Sequence, residues 1–220
     1  MKTIHYLLIQ NKKISQLLAT MIAFCGLLFA LRATNTKTLM YGFLLWNLFL
    51  ACVPLLVSSA ILVSLQIREH KVKLVGALFI WLLFLPNSFY LLTDFEHLSR
   101  FPTVPFWFDL ILLSSFAMTG IYAGLLSLVQ VEKIISCHFS PKIKVLLIIS
   151  ILYLSGFGVY LGRYYRFNSW DIFHEPIELL KGILKGLTTT DAQNFTLGFG
   201  TFLLVLYFVT ASFHSKINNP

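Results

Sequence analysis

Asn87, Tyr90, Asp94 and His97 are spaced 3, 4 and 3 residues apart within the run Leu-Pro-Asn-Ser-Phe-Tyr-Leu-Leu-Thr-Asp-Phe-Glu-His-Leu at 85–98. If a helix continues past Pro86, that spacing puts all four on one face. A carboxylate beside an imidazole can fix the ring's tautomer and orientation, so His97 suits a general base with Asp94 as its orienting partner. Asp109 closes the segment Pro-Phe-Trp-Phe-Asp at 105–109. A third segment, Gly-Arg-Tyr-Tyr-Arg-Phe-Asn-Ser-Trp-Asp at 162–171, brings Arg163, Arg166, Asn168 and Asp171. Guanidinium forks grip phosphate or carboxylate groups, and Asn87 or Asn168 could donate to a developing oxyanion.

Plainer roles compete for the same residues. Asp94, Asp109 and Asp171 could neutralise Arg163 and Arg166, because buried charges need partners. The Asn and Tyr side chains could be interhelical glue. Ion pairing alone does not call for His97, Asn87 and Asn168 as well. Asp94 and His97, joined by Asp109 or Asp171, could also supply three ligands to a divalent metal with an open position. There is no His-Glu-x-x-His motif to support this, and no cofactor is expected. Ser88, Ser169 and Thr93 are candidate nucleophiles, but no Gly-x-Ser-x-Gly elbow accompanies them. The pair Gly158 and Gly162 reads as close helix packing.

The elements that must carry these residues follow from composition. Of 220 residues, 57% are hydrophobic and 12% charged, with a mean hydropathy of +0.79. A soluble domain carries about 25% charged residues, so a soluble fold is excluded, and so is a disordered chain. Cys25, Cys52 and Cys137 are widely spaced and suggest neither a disulfide framework nor a zinc knuckle. Six runs are apolar enough for membrane helices, at about 15–31, 39–65, 74–93, 105–129, 144–162 and 195–213. They are continuously apolar rather than alternating, which argues against a β-barrel. The expected fold is an all-α integral membrane protein, a bundle of six transmembrane helices in one domain. The first run follows a long polar start and lacks a clean cleavage site, so it reads as a retained helix rather than a signal peptide.

Basic residues orient the chain. With the N-terminus inside, the inner segments hold ten Lys and Arg and the outer segments seven, which predicts cytoplasmic termini. In a membrane protein a net charge of +8 is explained by such loops, so no nucleic-acid partner is expected. His5, His70, His138 and His214 read as loop residues. On this topology Asn47, Asp94, His97, Asp109, Arg163 and Arg166 converge on the outer mouth, and the inner half holds no comparable cluster. Between 171 and 187, Phe173, Ile177, Leu180, Leu184 and Leu187 recur at helical spacing. Acidic residues come early and basic ones late, matching the helix dipole. One amphipathic helix at about 172–187 is expected, lying in the outer interface or packed as a lid.

Leu85 through Asp94 with His97, then Trp107-Phe-Asp109, then Gly158 through Arg163 and Arg166 to Asp171 form a three-part motif. It resembles a bacterial integral membrane family known as domain of unknown function family 1361. The similarity begins at Trp46-Asn47 and Pro54 and covers most of the chain. The resemblance implies a multi-pass protein of the bacterial cytoplasmic membrane with no assigned activity. It also marks Asn87, Asp94, His97, Asp109, Arg163, Arg166, Asn168 and Asp171 as the functional positions.

The resulting expectation is a small enzyme of the outer leaflet, a hydrolase or group transferase acting on membrane lipid or a lipid-linked group. The alternatives are an ion- or proton-coupled transporter or channel, and a non-catalytic assembly protein. No internal repeat is visible, so the inverted-repeat signature of many transporters is missing, and the ionisable residues gather at one surface rather than the midplane.

Overall fold

The computed structural model describes residues 12–98 and 104–218, with the backbone alone for 12–13 and 213–218. His5 and Arg100 lie outside the described residues, as do the side chains of His214 and Lys216. Among the described residues every regular element is helical. The helices are α1 (Lys12–Thr36), α2 (Phe43–Val63), α3 (Leu65–Glu69), α4 (Lys71–Tyr90), a 3-10 helix (Leu91–His97), α5 (Phe106–Ser136), α6 (Pro141–Tyr164), α7 (Asp171–His174), α8 (Pro176–Thr188) and α9 (Thr190–Asn218). Six stretches are long and apolar enough to cross a membrane: Ile14–Thr36, Phe43–Val63, Lys71–His97, Phe106–Ser136, Pro141–Tyr164 and Thr190–Ser212.

These helices carry large apolar side chains on their outer surfaces. Leu27, Phe49, Phe79, Met118, Leu146 and Val205 each leave more than half of their surface uncovered by protein. In water that pattern would be costly; against lipid tails it is neutral. The chain is a membrane protein by this criterion as well as by helix length.

It divides into two compact units, Met1–Ser127 and Leu128–Pro220, with the boundary inside α5. In the first unit, Cys25 and Leu28 of α1, Leu44, Leu48 and Ala51 of α2, Leu91 of the 3-10 helix and Leu112, Leu113 and Phe116 of α5 form one core. Two glycines let α4 and α5 approach closely. A Cβ on Gly120 would lie 2.6 Å from the Ser88 carbonyl oxygen, and one on Gly124 would lie 2.7 Å from the Ser88 Cβ. Ser88 donates to the Ala51 carbonyl at 2.7 Å, tying α4 to α2, and Trp81 Nε1 donates to Ser127 Oγ at 3.1 Å. Pro54 and Pro86 sit inside continuous helices, as the membrane setting allows when neighbouring groups take up the freed carbonyls.

In the second unit α6 packs on α9 through Gly156, whose Cβ would lie 3.2 Å from the Gly200 nitrogen. The amphipathic stretch is split. Pro176 disfavours helical backbone at the residue before it, and Glu175 sits at φ −135°, ψ 55°. The four-residue α7 therefore stops at His174, and α8 begins at Pro176 rather than near 172.

Candidate functional site

Polar groups of the first unit gather where α1 ends, α2 begins, α4 gives way to the 3-10 helix and α5 starts. The expected α-helical face does pass Pro86, but it changes pitch after Tyr90. The next seven residues form a 3-10 helix, long for that geometry. Residues three apart then eclipse one another, so Leu91, Asp94 and His97 share an edge. Thr93 supports the change by donating to the Tyr90 carbonyl at 2.7 Å.

Asp94 is 1% exposed and accepts from Asn47 Nδ2 of α2 at 3.2 Å. A carboxylate this deep needs donors, and the amide supplies one without adding charge. His97 is half-buried. Its carbonyl accepts from Tyr41 Oη at 3.0 Å, and its ring lies 5.0 Å from the Phe43 ring, tilted at 59°. Asn87 is half-buried and donates one amide hydrogen to the Phe84 carbonyl of its own helix, at 3.0 Å. Ser88 is fully buried and committed to Ala51, so it is a helix tie rather than an accessible nucleophile.

Asp109 has a partner that sequence reasoning missed. Arg32 Nε donates to its Oδ1 at 2.7 Å and Arg32 Nη2 to its Oδ2 at 3.2 Å. Arg32 is 1% exposed and Asp109 4%, so this is a bidentate pair in a nearly dry setting. Both carboxylate oxygens of Asp109 are thus engaged by Arg32. The Arg32 guanidinium also lies 4.2 Å from the centre of the Tyr41 ring, a cation–π contact. Burial pushes the Tyr41 phenol above its ordinary value, and the charge of Asp109 pushes the same way. The phenol therefore stays protonated.

The remaining candidates belong to the second unit. Arg163 is half-buried near the end of α6 and Arg166 is exposed. Arg166 takes left-handed backbone with φ 61°, where the chain turns out of α6 and the Phe167 N–H reaches back to the Leu161 carbonyl at 3.3 Å. Asp171 Oδ2 accepts from the Asn168 N–H at 2.7 Å, while the Asp171 N–H donates to the Asn168 carbonyl at 3.1 Å. These two residues close a tight turn on each other. At the other end of α6 stands a second polar cluster that the sequence reading did not anticipate. Glu132 accepts from Tyr207 Oη at 2.6 Å and pairs with Lys144 Nζ at 2.9 Å, linking α5, α6 and α9. Its signal in the sequence was faint, since Glu132 and Lys144 read as ordinary loop charges.

Among the described residues no group of three or more His, Cys, Asp or Glu side chains is gathered for a metal ion. Asp109, one of the expected third ligands, is engaged with Arg32.

A family model described as "Protein of unknown function (DUF1361)" matches residues 46–206. No curated protein and no solved structure matches the chain.

Proposed function

Because the chain belongs to the DUF1361 family, whose description carries no activity, we propose a function from the site itself: an enzyme of the membrane surface that hydrolyses, or transfers a group to or from, a lipid or lipid-linked substrate. His97 is the general base and Asp94 the positioning residue that sets the ring's tautomer. The observation that supports this reading is the 3-10 helix Leu91–His97. It stacks a half-buried imidazole one turn beyond a buried carboxylate that Asn47 holds in place. Asn47 and Tyr41 are then supporting residues, one for the carboxylate and one for the backbone of the base. The Arg32–Asp109 pair braces the same region. On the second unit, Arg163, Arg166, Asn168 and Asp171 have the chemistry to bind an anionic head group.

The test is complementation of a deletion strain with the wild-type chain, His97→Ala or Asp94→Asn, read by untargeted analysis of lipids and envelope components. Both variants should reproduce the deletion profile at wild-type protein levels, because proton transfer by a placed base is worth about 10²–10⁴ in rate. A wild-type profile from His97→Ala would end the acid–base reading. Loss of folded protein confined to Asp94→Asn would mark Asp94 as a structural charge.

A further inference from the structure

The helix α8 has three distinct sides. Gly182 and Gly186 are buried; a Cβ on Gly182 would collide with the Phe167 ring, and one on Gly186 would lie 3.0 Å from the Phe157 ring. This side is seated on the second unit by the absence of side chains. A second side is polar, with Lys181 Nζ 2.8 Å from Glu178 Oε1 and Lys185 Nζ 5.6 Å from the Tyr165 ring centre. The third side carries Ile177, Leu180, Leu184 and Leu187, continued by Phe173 of α7, and each of these residues is between 56% and 78% exposed. A stripe of five large apolar residues turned away from the protein is too contiguous to be scattered surface hydrophobicity.

The chain's course shows what covers it. One residue, Thr189, separates α8 from α9, which begins at Thr190 and is apolar enough to span the membrane. A single residue spans at most about 3.6 Å, so the Leu187 end of the stripe lies at the level where that span emerges. Past that turn α9 carries exposed apolar residues of its own, Leu197 and Val205 among them, each more than half exposed. We propose that the apolar side of α8 is inserted in the headgroup–acyl boundary of the leaflet at which α6 ends and α9 begins, so that the bilayer itself is its partner. Because Glu178 and Lys181 satisfy each other, the contact is apolar in origin and requires no anionic lipid. This inference is independent of the acid–base reading.

The experiment places a nitroxide at Leu184→Cys, and separately at Leu180→Cys and Lys181→Cys, in full-length protein carrying Cys137→Ser. The protein is reconstituted in phosphatidylcholine vesicles, and collision rates are measured with oxygen and with a water-soluble nickel chelate. The stripe positions should favour oxygen severalfold over the nickel reagent relative to position 181, at a depth matching the headgroup boundary. Nickel accessibility at 180 and 184 equal to that at 181 would overturn the proposal by placing the stripe in water. Exclusion of both reagents would also overturn it, by showing a protein cover, as would spin–spin broadening that reveals a second copy on this face. Equal results in vesicles with and without anionic lipid are expected; insertion that requires anionic lipid would overturn the apolar account.

Discussion

Arg32 and Asp109 hold each other through two contacts while both are almost fully buried. Removing one partner strands a charge in a low-dielectric site, at a cost of about 3–5 kcal/mol. Arg32→Met or Asp109→Leu should therefore lower the midpoint of thermal unfolding of the detergent-purified protein, followed by fluorescence-detected size exclusion after heating. The double variant should recover most of that loss, because an apolar pair of similar volume is often neutral or stabilising. A single variant as stable as wild type would show that the pair bears no load. Asp94 and Asn47 were legible in the sequence as polar residues at one level of two spans, and the structure joins them. Arg32 is not, because the first apolar run reads as complete at Leu31 and the arginine as a loop charge. The physical signal was available in reverse: Asp109 sits inside an apolar segment and requires a cation. Nothing breaks the helix between Leu31 and Thr36, and left-handed Lys37, at φ 53°, follows it.

The α5 glycines decide how closely helices approach, and they permit a direct test. At Gly120 the atom a new Cβ would meet is a backbone oxygen at 2.6 Å, which cannot rotate away, whereas nothing lies within 4 Å of the corresponding position at Gly26. Gly120→Ala should push α4 and α5 apart at an overpacking cost of about 1–3 kcal/mol. Gly26→Ala should be neutral or stabilising by up to about 1 kcal/mol through helix propensity. Unfolding midpoints of the two variants, measured together, check both; equal midpoints would contradict the close approach. The existence and order of the six long helices were legible because each buries its backbone polarity inside one continuous apolar run. The 3-10 stretch was not, since spacing of 3, 4 and 3 fits an α-helix and hydropathy carries no record of pitch. The stop at Glu175 was legible from Pro176, but the apolar stripe 171–187 concealed it by keeping its period across the break.

At the scale of the whole chain, the direction of insertion is an expectation drawn from charge. The expected arrangement has both termini in the cytoplasm, on the basis of ten basic residues in inner segments against seven in outer ones. The structure moves one of those seven, Arg32, out of the loops and into a buried pair, where it no longer contributes to the surface bias. That change widens the asymmetry rather than narrowing it. A native reporter exists. Cys137 is exposed in the turn between α5 and α6, whereas Cys25 is fully buried and Cys52 lies within α2. In intact cells an impermeant maleimide should leave Cys137 unlabelled and should react with it once the membrane is permeabilised. A cysteine introduced as Thr38→Cys, at an exposed position between α1 and α2, should label in intact cells without permeabilisation. The opposite pattern would invert the chain. It would then place His97 and Arg163 at the cytoplasmic face, and the substrate would have to be sought in the inner leaflet.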